Sequence, residues 1–149
     1  MKTNDLLFRG RSKLLNGGWK YGLLYIHKND TSILVDVNDN NKLYYVYPDS
    51  VGKYAHFTDS SGNKAFTDDV IKTTPVNDAA IYAVVREGFY NDPDKILKTH
   101  YGVFFDWIGD YSYLSYLRKD IGFWLGQANT TIEIIGNTFD NPETTGGIK

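Results

Sequence analysis

Four aspartates, Asp68, Asp69, Asp106 and Asp110, are the side chains of this sequence best suited by type to acid–base or metal chemistry. Two carboxylates that meet in one cleft can exchange a proton with a substrate or bind a divalent cation. Their spacing fixes no shared geometry, because adjacent Asp68 and Asp69 are equally typical of a solvated turn and Asp110 of a helix cap. The sequence therefore assigns no catalytic residue. A metal-dependent hydrolase or nuclease stays open as an alternative that requires these aspartates to converge.

The segment from Asp36 to Asn41 begins like a calcium-binding loop, with oxygen-bearing side chains at its first, third and fifth positions. The turn-forming glycine expected at the sixth position is Asn41, and the glutamate expected at the twelfth is Tyr47. The flanking residues have the composition of strands rather than of the two helices that frame such a loop. We therefore predict a hairpin turn here and no calcium site.

The three histidines, His27, His56 and His100, lie far apart, and none has a second ligand at the spacing of a metal site. The chain has no cysteine, which excludes disulfides, thiolate metal ligands and a cysteine nucleophile. No glycine-rich segment matches a phosphate loop or a dinucleotide fingerprint, and no serine lies in a nucleophile elbow. The sequence thus predicts no metal, no cofactor and no catalytic residue, and we expect a protein that is not an enzyme.

Basic and aromatic residues are interleaved near the N-terminus in a way that resembles a nucleic-acid surface, where cations neutralise phosphates and rings stack on bases. The residues concerned are Phe8, Arg9, Arg11, Lys13, Trp19, Lys20 and Tyr21. Against this hypothesis, strand alternation would turn Trp19 and Tyr21 into the core and leave Lys20 outside as an ordinary surface charge. The net charge of the chain, −2, also gives it no long-range attraction to nucleic acid.

The length of 149 residues predicts one domain, spanning 1–149 with a flexible C-terminal tail from about 144. Twelve Tyr, eight Phe and three Trp make 15% of the residues aromatic, which favours pleated strands over helices. The N-terminal residues have no apolar stretch of the kind a signal peptide needs, and no run is long enough to span a membrane. We therefore expect a cytoplasmic protein with no membrane partner.

Period-two alternation and turn-forming residues predict many short strands joined by tight turns. The strands are predicted at 19–26, 32–37, 42–47, 54–58, 70–73, 81–85, 101–108 and 131–135, with a hairpin turn at 38–41 and a further turn at 59–63. One short helix is predicted at 91–98, and a second where Leu114, Leu117 and Ile121 recur behind Ser112. The predicted fold class is mainly β (α+β), a barrel-like antiparallel domain with one or two short helices.

Four segments, in order, resemble the YopX family of phage and prophage proteins. They are 8–10 (FRG), 16–22 (NGGWKYG), 48–72 and 132–143, the last with IEIIGN followed by DNPE. Residues 76–130 have no counterpart in this resemblance. Where the family has Glu-Gly-Asp before a strand, this chain has Thr67-Asp68-Asp69, which keeps only the last acid.

The resemblance implies a small phage-encoded protein with a barrel-like β fold and no established activity, so no catalytic residue is carried over from it. Our leading hypothesis is a non-enzymatic accessory protein that associates with another protein or with itself. The reason is that the chain has many aromatic residues but no catalytic pattern. Aromatic residues left outside the core form association surfaces. The alternative is a small-barrel nucleic-acid-binding protein that uses the basic N-terminal segment.

Overall fold

The computed structural model describes residues 7–76, 78–91, 99–109 and 117–143. Within them nearly all regular structure is antiparallel β, with ten strands and one short α-helix, so the prediction of a mainly β chain is confirmed. Two compact units divide the chain, residues 1–56 and residues 57–149. The single domain expected over 1–149 stays a prediction, and the tail expected from about 144 lies outside the described residues.

The first unit is built on an antiparallel sheet with the strand order β4-β3-β2-β1-β5. Its strands are β1 (Phe8–Arg11), β2 (Trp19–His27), β3 (Thr31–Asp36), β4 (Lys42–Val46) and β5 (Gly52–Thr58). β5 crosses into the second unit after His56, whose backbone is left-handed (φ 62°). The strands predicted at 19–26, 32–37, 42–47 and 54–58 are all confirmed.

The β3–β4 connection is the hairpin turn that the sequence predicts. Asn40 and Asn41 adopt left-handed backbone conformations (φ 53° and 57°), which asparagine tolerates better than most residues. The Asp36 carboxylate accepts a hydrogen bond from the backbone N–H of Asn38 (3.0 Å), as in an Asx turn. The first oxygen ligand of the calcium-like pattern therefore stabilises the turn itself.

The end of β4 returns to the chain that follows β1. Ser12 and Val46 form an isolated bridge, the N–H of Tyr47 donates to the carbonyl of Arg11 (3.0 Å), and the N–H of Lys13 donates to that of Tyr45 (2.9 Å). A Cβ on Gly10 would lie 2.8 Å from the Val46 Cβ, so this approach requires glycine. No closed barrel is found among the described residues, and the barrel-like part of the predicted fold is not confirmed.

The second unit contains a four-stranded antiparallel sheet with the order β10-β7-β8-β9. Its elements are β6 (Lys64–Phe66), β7 (Asp69–Thr74), β8 (Ile81–Asn91), β9 (Thr99–Ile108), α1 (Ile121–Leu125) and β10 (Thr131–Asn137). Its core contains Val70, Ile71, Val84, Val85 and Phe105, all almost fully buried. The strands predicted at 70–73, 101–108 and 131–135 are confirmed, and the one predicted at 81–85 extends on to Asn91.

The two helix predictions fall mostly outside the described residues. Asn91 ends β8, and residues 92–98, where the first helix was expected, lie outside the described residues. Ser112 and Leu114 of the second also lie outside them, while Leu117 precedes the helix, which begins only at Ile121. Arg118 and Lys119, which lie between Leu117 and the helix, are held by tertiary hydrogen bonds. The indole N–H groups of Trp107 and Trp124 both donate to the carbonyl of Arg118 (3.0 and 2.7 Å), and the N–H of Phe105 donates to that of Lys119 (2.8 Å).

The outer edge of the four-stranded sheet is capped by the turn at 59–63. β10 is an edge strand, and its backbone pairs with Ser60: the Ser60 N–H donates to the Ile132 carbonyl (2.8 Å), and the Ile132 N–H donates to Ser60 Oγ (2.9 Å). The buried carboxylate of Asp59 accepts hydrogen bonds from the N–H of Ile134 (3.2 Å) and the N–H of Asn63 (2.9 Å). These contacts satisfy backbone groups that an open edge would leave unpaired.

Burial by itself would raise the pKa of Asp59, but the hydrogen bonds donated by Asn63 and Ile134 favour the ionised form and hold the pKa below its ordinary value of 3.8. Replacing Asp59 by alanine leaves those N–H donors without their acceptor. We expect the free energy of unfolding, measured by urea denaturation at neutral pH, to fall by about 2–3 kcal/mol, the usual cost of losing hydrogen bonds to a charged group.

The same replacement predicts a pH dependence. Because the folded-state pKa lies below the unfolded one, the Asp59 carboxylate contributes its full stabilisation above pH 3.8 and loses it as the pH falls through the folded-state pKa. The difference in unfolding free energy between the wild type and Asp59→Ala should therefore be constant near neutral pH and shrink below 3.8. A difference that stays constant into strong acid would contradict this account. Asp59→Asn, which keeps the shape without the charge, is the control.

Candidate functional site

The three histidines lie on three different strands, and each ring contacts a tyrosine. The centroid distances are 5.9 Å from His27 to Tyr25, 4.9 Å from His56 to Tyr54 and 5.3 Å from His100 to Tyr90. Across the described ranges, no group of three or more histidine, aspartate or glutamate side chains could hold a metal ion.

Two of the four candidate aspartates meet, and they meet around a cation. Asp106 lies opposite Val84 in the β8–β9 register, which puts it on the same face as Arg86, two residues further along β8. The Arg86 guanidinium donates to Asp68 (3.1 Å) and to Asp106 (3.4 Å). Asp69 is buried and accepts a hydrogen bond from the N–H of Phe66 (2.8 Å) instead.

The remaining candidate aspartate, Asp110, lies outside the described residues. Asp68 and Asp106 are bound to a guanidinium, and Asp69, the buried first residue of β7, accepts a hydrogen bond from the N–H of Phe66, so these three carboxylates stabilise the second unit. Their arrangement differs from a pair held open for a metal or a substrate. The sequence missed Arg86, because only the strand register brings it between two aspartates.

The basic and aromatic residues of the first unit do come together, as stacked cation–ring pairs. The guanidinium carbons of Arg9 and Arg11 lie 4.9 and 5.8 Å from the centre of the Trp19 ring. The ammonium groups of Lys20 and Lys42 lie 4.8 and 5.6 Å from the centre of another ring, that of Tyr44. Such contacts are attractive, and they leave the cation its positive charge.

The burial predicted from alternation along β2 is wrong. Tyr21 is 47% exposed, Tyr25 is 54% exposed, and Trp19 is only half-buried. The fully buried side chains of this sheet, Leu34 and Val46, lie on the opposite face. The period of two was read correctly, but the face that it assigned to the core was the wrong one.

These exposed rings form a surface that we call the tyrosine face, made of Tyr21, Tyr25, Leu43 and Tyr45. Paired residues of an antiparallel sheet lie on the same face. Tyr25 pairs with Ile33, which pairs with Tyr45, and Leu23 and Val35 connect to Leu43 in the same way. Buried Ile33 thus lies between two rings that are each 54% exposed. A cleft of about 420 Å³ opens beside Tyr21, lined also by Leu7 and Asp36.

A second aromatic surface lies in the other unit, at the far end of β8 and β9. β7 pairs with β8 only up to Val84, and β9 bridges to Asp120 at Phe104, so beyond these points residues 87–91 and 99–103 form a two-stranded segment among the described residues, which we call the ribbon. Phe89 and Tyr101 pair directly across it, with ring centroids 5.0 Å apart, and are 73% and 65% exposed. On the other face Tyr90 stacks on Phe104 at 5.2 Å.

The two units differ in charge. Residues 1–56 include eight basic and five acidic residues, a net charge of +3, whereas residues 57–149 include eight basic and thirteen acidic residues, a net charge of −5. The overall charge of −2 therefore conceals a basic first unit. The tyrosine face lies on the basic unit and the ribbon on the acidic one.

Comparison with known proteins gives one match. The family model described as YopX protein matches residues 7–144, nearly the whole chain, including the segment 76–130 that the short sequence patterns left without a counterpart. No match was found among curated proteins, and none among solved structures. Within the described ranges, no helix has the length and apolar character needed to cross a bilayer.

The Arg86 cluster, the ion pairs of Arg86 with Asp68 and Asp106, generates a prediction about stability. All three side chains are more than a third exposed, so solvent screens the ion pairs and each contributes less than about 1 kcal/mol. We expect Arg86→Met to lower the free energy of unfolding by less than about 1 kcal/mol per ion pair, and by a smaller amount at high salt. Arg86→Lys, which keeps the charge, should lower it less. Urea denaturation at two ionic strengths measures both. Stability that rises in Arg86→Met would contradict a stabilising role.

Proposed function

The chain belongs to the YopX family, and we propose from that premise that it is a non-enzymatic, cytoplasmic accessory protein of phage or prophage type that acts by associating with another protein, a second copy of itself included. The observation that carries this proposal is the exposed ring pair of the ribbon, Phe89 and Tyr101. The residues best suited to chemistry support the non-enzymatic part, because Asp68 and Asp106 are bound to Arg86.

The ribbon is suited to association for reasons of stability as well as exposure. A two-stranded segment without a third strand is marginally stable in water, and cross-strand aromatic pairs contribute to holding it together. Gly88 pairs with Gly102, which leaves one face without side chains at that point, and the Phe104 ring lies 3.9 Å from where a Cβ on Gly88 would be. Tyr90 and Phe104, on the face with the two glycines, thus support the ribbon. Phe89 and Tyr101 extend from the other face into solvent.

Aromatic side chains that are exposed on a strand pair are common anchors of protein interfaces. They bury a large area at a low cost in conformational entropy, and they dominate the binding energy where they enter a pocket of the partner. Glu87 lies on the same face of the ribbon and accepts a hydrogen bond from the Tyr101 hydroxyl (3.5 Å). The surface therefore offers two rings and one carboxylate, which suits a partner with an apolar pocket and a nearby basic group.

We expect the double variant Phe89→Ser/Tyr101→Ser to weaken association, and circular dichroism checks that it stays folded, because the two rings also contact each other across the ribbon. Truncating an aromatic hot spot costs about 2 kcal/mol or more, roughly a thirtyfold rise in Kd for each ring. Sedimentation velocity over a range of concentrations measures self-association, and capture from a lysate of the host, with bound proteins quantified, measures association with a partner. Leu125→Ser, a change at an exposed apolar residue outside the ribbon, is the matched control.

Two results together would overturn the proposal. One is a wild-type protein that stays monomeric at every concentration. The other is a set of captured proteins that is the same for the wild type, for the double variant and for Leu125→Ser.

A further inference from the structure

The tyrosine face of the first unit is a second candidate surface, independent of the ribbon and of different chemistry. Three of its four exposed side chains are tyrosines, whose rings can stack on planar ligands. Tyr25 and Tyr45 lie in one row across β2, β3 and β4, and Tyr21 lies four residues, or about 13 Å, along β2 from Tyr25. The rings are therefore spaced over the sheet rather than packed into one apolar patch.

Basic residues border this face. The N–H of Lys13 donates to the carbonyl of Tyr45 (2.9 Å), so the exposed Lys13 side chain begins beside that ring. The backbone of Arg11 lies next to that of Tyr47, because the Arg11 carbonyl accepts a hydrogen bond from the N–H of Tyr47 (3.0 Å). Arg9 lies opposite Tyr21 in the β1–β2 register, but it is buried, with its guanidinium over the Trp19 ring. These cations belong to a unit with a net charge of +3.

We propose that the tyrosine face binds single-stranded nucleic acid, with bases stacked on Tyr25 and Tyr45 and the phosphate backbone beside Arg11 and Lys13. Aromatic rings on a sheet accept any base, since every base has a π-face, and neighbouring cations neutralise the backbone. Charge complementarity favours this ligand over a basic or neutral protein surface. Paired bases cannot stack on side chains of a sheet, so a duplex is excluded from the same mode of binding.

Both arguments that the sequence offered against nucleic acid are weakened by the structure. The alternation along β2 was expected to bury Tyr21, and it is 47% exposed. The chain as a whole is acidic, but its acidic excess belongs to residues 57–149. DNA and RNA share the chemistry used here, a stackable base and a phosphate, and they differ in the 2′-hydroxyl.

The test is fluorescence anisotropy of the full chain with labelled oligothymidylate, labelled oligouridylate and a labelled DNA duplex, at about 50 and 200 mM salt. We expect both single strands to bind, the duplex to bind more weakly, and the affinity to fall as salt rises. Tyr25→Ser/Tyr45→Ser should weaken single-strand binding about tenfold or more, because each stacked ring contributes to affinity. Lys13→Gln should weaken it less and reduce its salt dependence.

Tyr101→Ser is the matched control, since it removes an exposed tyrosine on the ribbon, far along the chain from this face. It should leave the affinity for oligothymidylate unchanged, and circular dichroism should show that all the variants remain folded. Tighter binding of oligouridylate than of oligothymidylate would support the proposal with RNA as the ligand, and equal binding would support it for both.

Three results would overturn the proposal: no anisotropy change at low salt, a duplex bound as tightly as the single strands, or equal losses in Tyr101→Ser and Tyr25→Ser/Tyr45→Ser. Self-association that depends on Tyr25 and Tyr45, without binding of either oligonucleotide, would identify a second copy as the occupant instead. The two proposals depend on different residues and different measurements, so failure here leaves the proposed protein association through Phe89 and Tyr101 standing.

Discussion

The sheet of the second unit depends on one buried carboxylate. β10 is an edge strand, and its outward N–H groups would be free to pair with another chain if nothing covered them. Asp59 and Ser60 satisfy that edge at Ile132 and Ile134, and Asn63 holds the Asp59 carboxylate in position. β10 pairs with β7, and β7 pairs with β8, whose continuation is one strand of the ribbon. A side-chain cap is suited to this because it ends the sheet without adding another edge.

A different constraint governs the first unit, where strands approach closely at positions without side chains. A Cβ on Gly10 would meet the Val46 side chain, and one on Gly22 would meet the carbonyl of Val35. The face that contains these glycines also contains the fully buried side chains of Leu34 and Val46, and Tyr44, which pairs with Leu34, lies on it too. Tyr21, Tyr25 and Tyr45 lie on the other face, where the register places them. The exposure of Tyr25 and Tyr45 thus follows from the register, because the fully buried side chains are on the opposite face.

The sequence predicted most of the strands, because period-two alternation and asparagine-rich turns are local signals, as the hairpin around Asn40 and Asn41 illustrates. It could not predict which face of β2 is buried, since a period of two is the same for either face. Tertiary packing decides, and it buries the face that contains Leu34 and Val46. It also could not find the Arg86 cluster, which exists only once β8 and β9 are in register. Of the second predicted helix, the described part begins at Leu117, and only Ile121 lies in a helix, because the Arg118 carbonyl instead accepts hydrogen bonds from the indoles of Trp107 and Trp124.

The segments that resemble the YopX family and the surfaces proposed for binding are largely different residues. Asp59, Asn63 and Asn137 lie in the resembling segments, and the structure gives each a role in the scaffold: the first two cap β10, and Asn137 holds the turn after it through hydrogen bonds with Asp140. The rings of Tyr25, Tyr45, Phe89 and Tyr101 lie outside those segments, in strands whose pairing the scaffold fixes. The resembling segments therefore contribute to how the strands are held, whereas the chemistry of a partner follows from the side chains that the other strands expose.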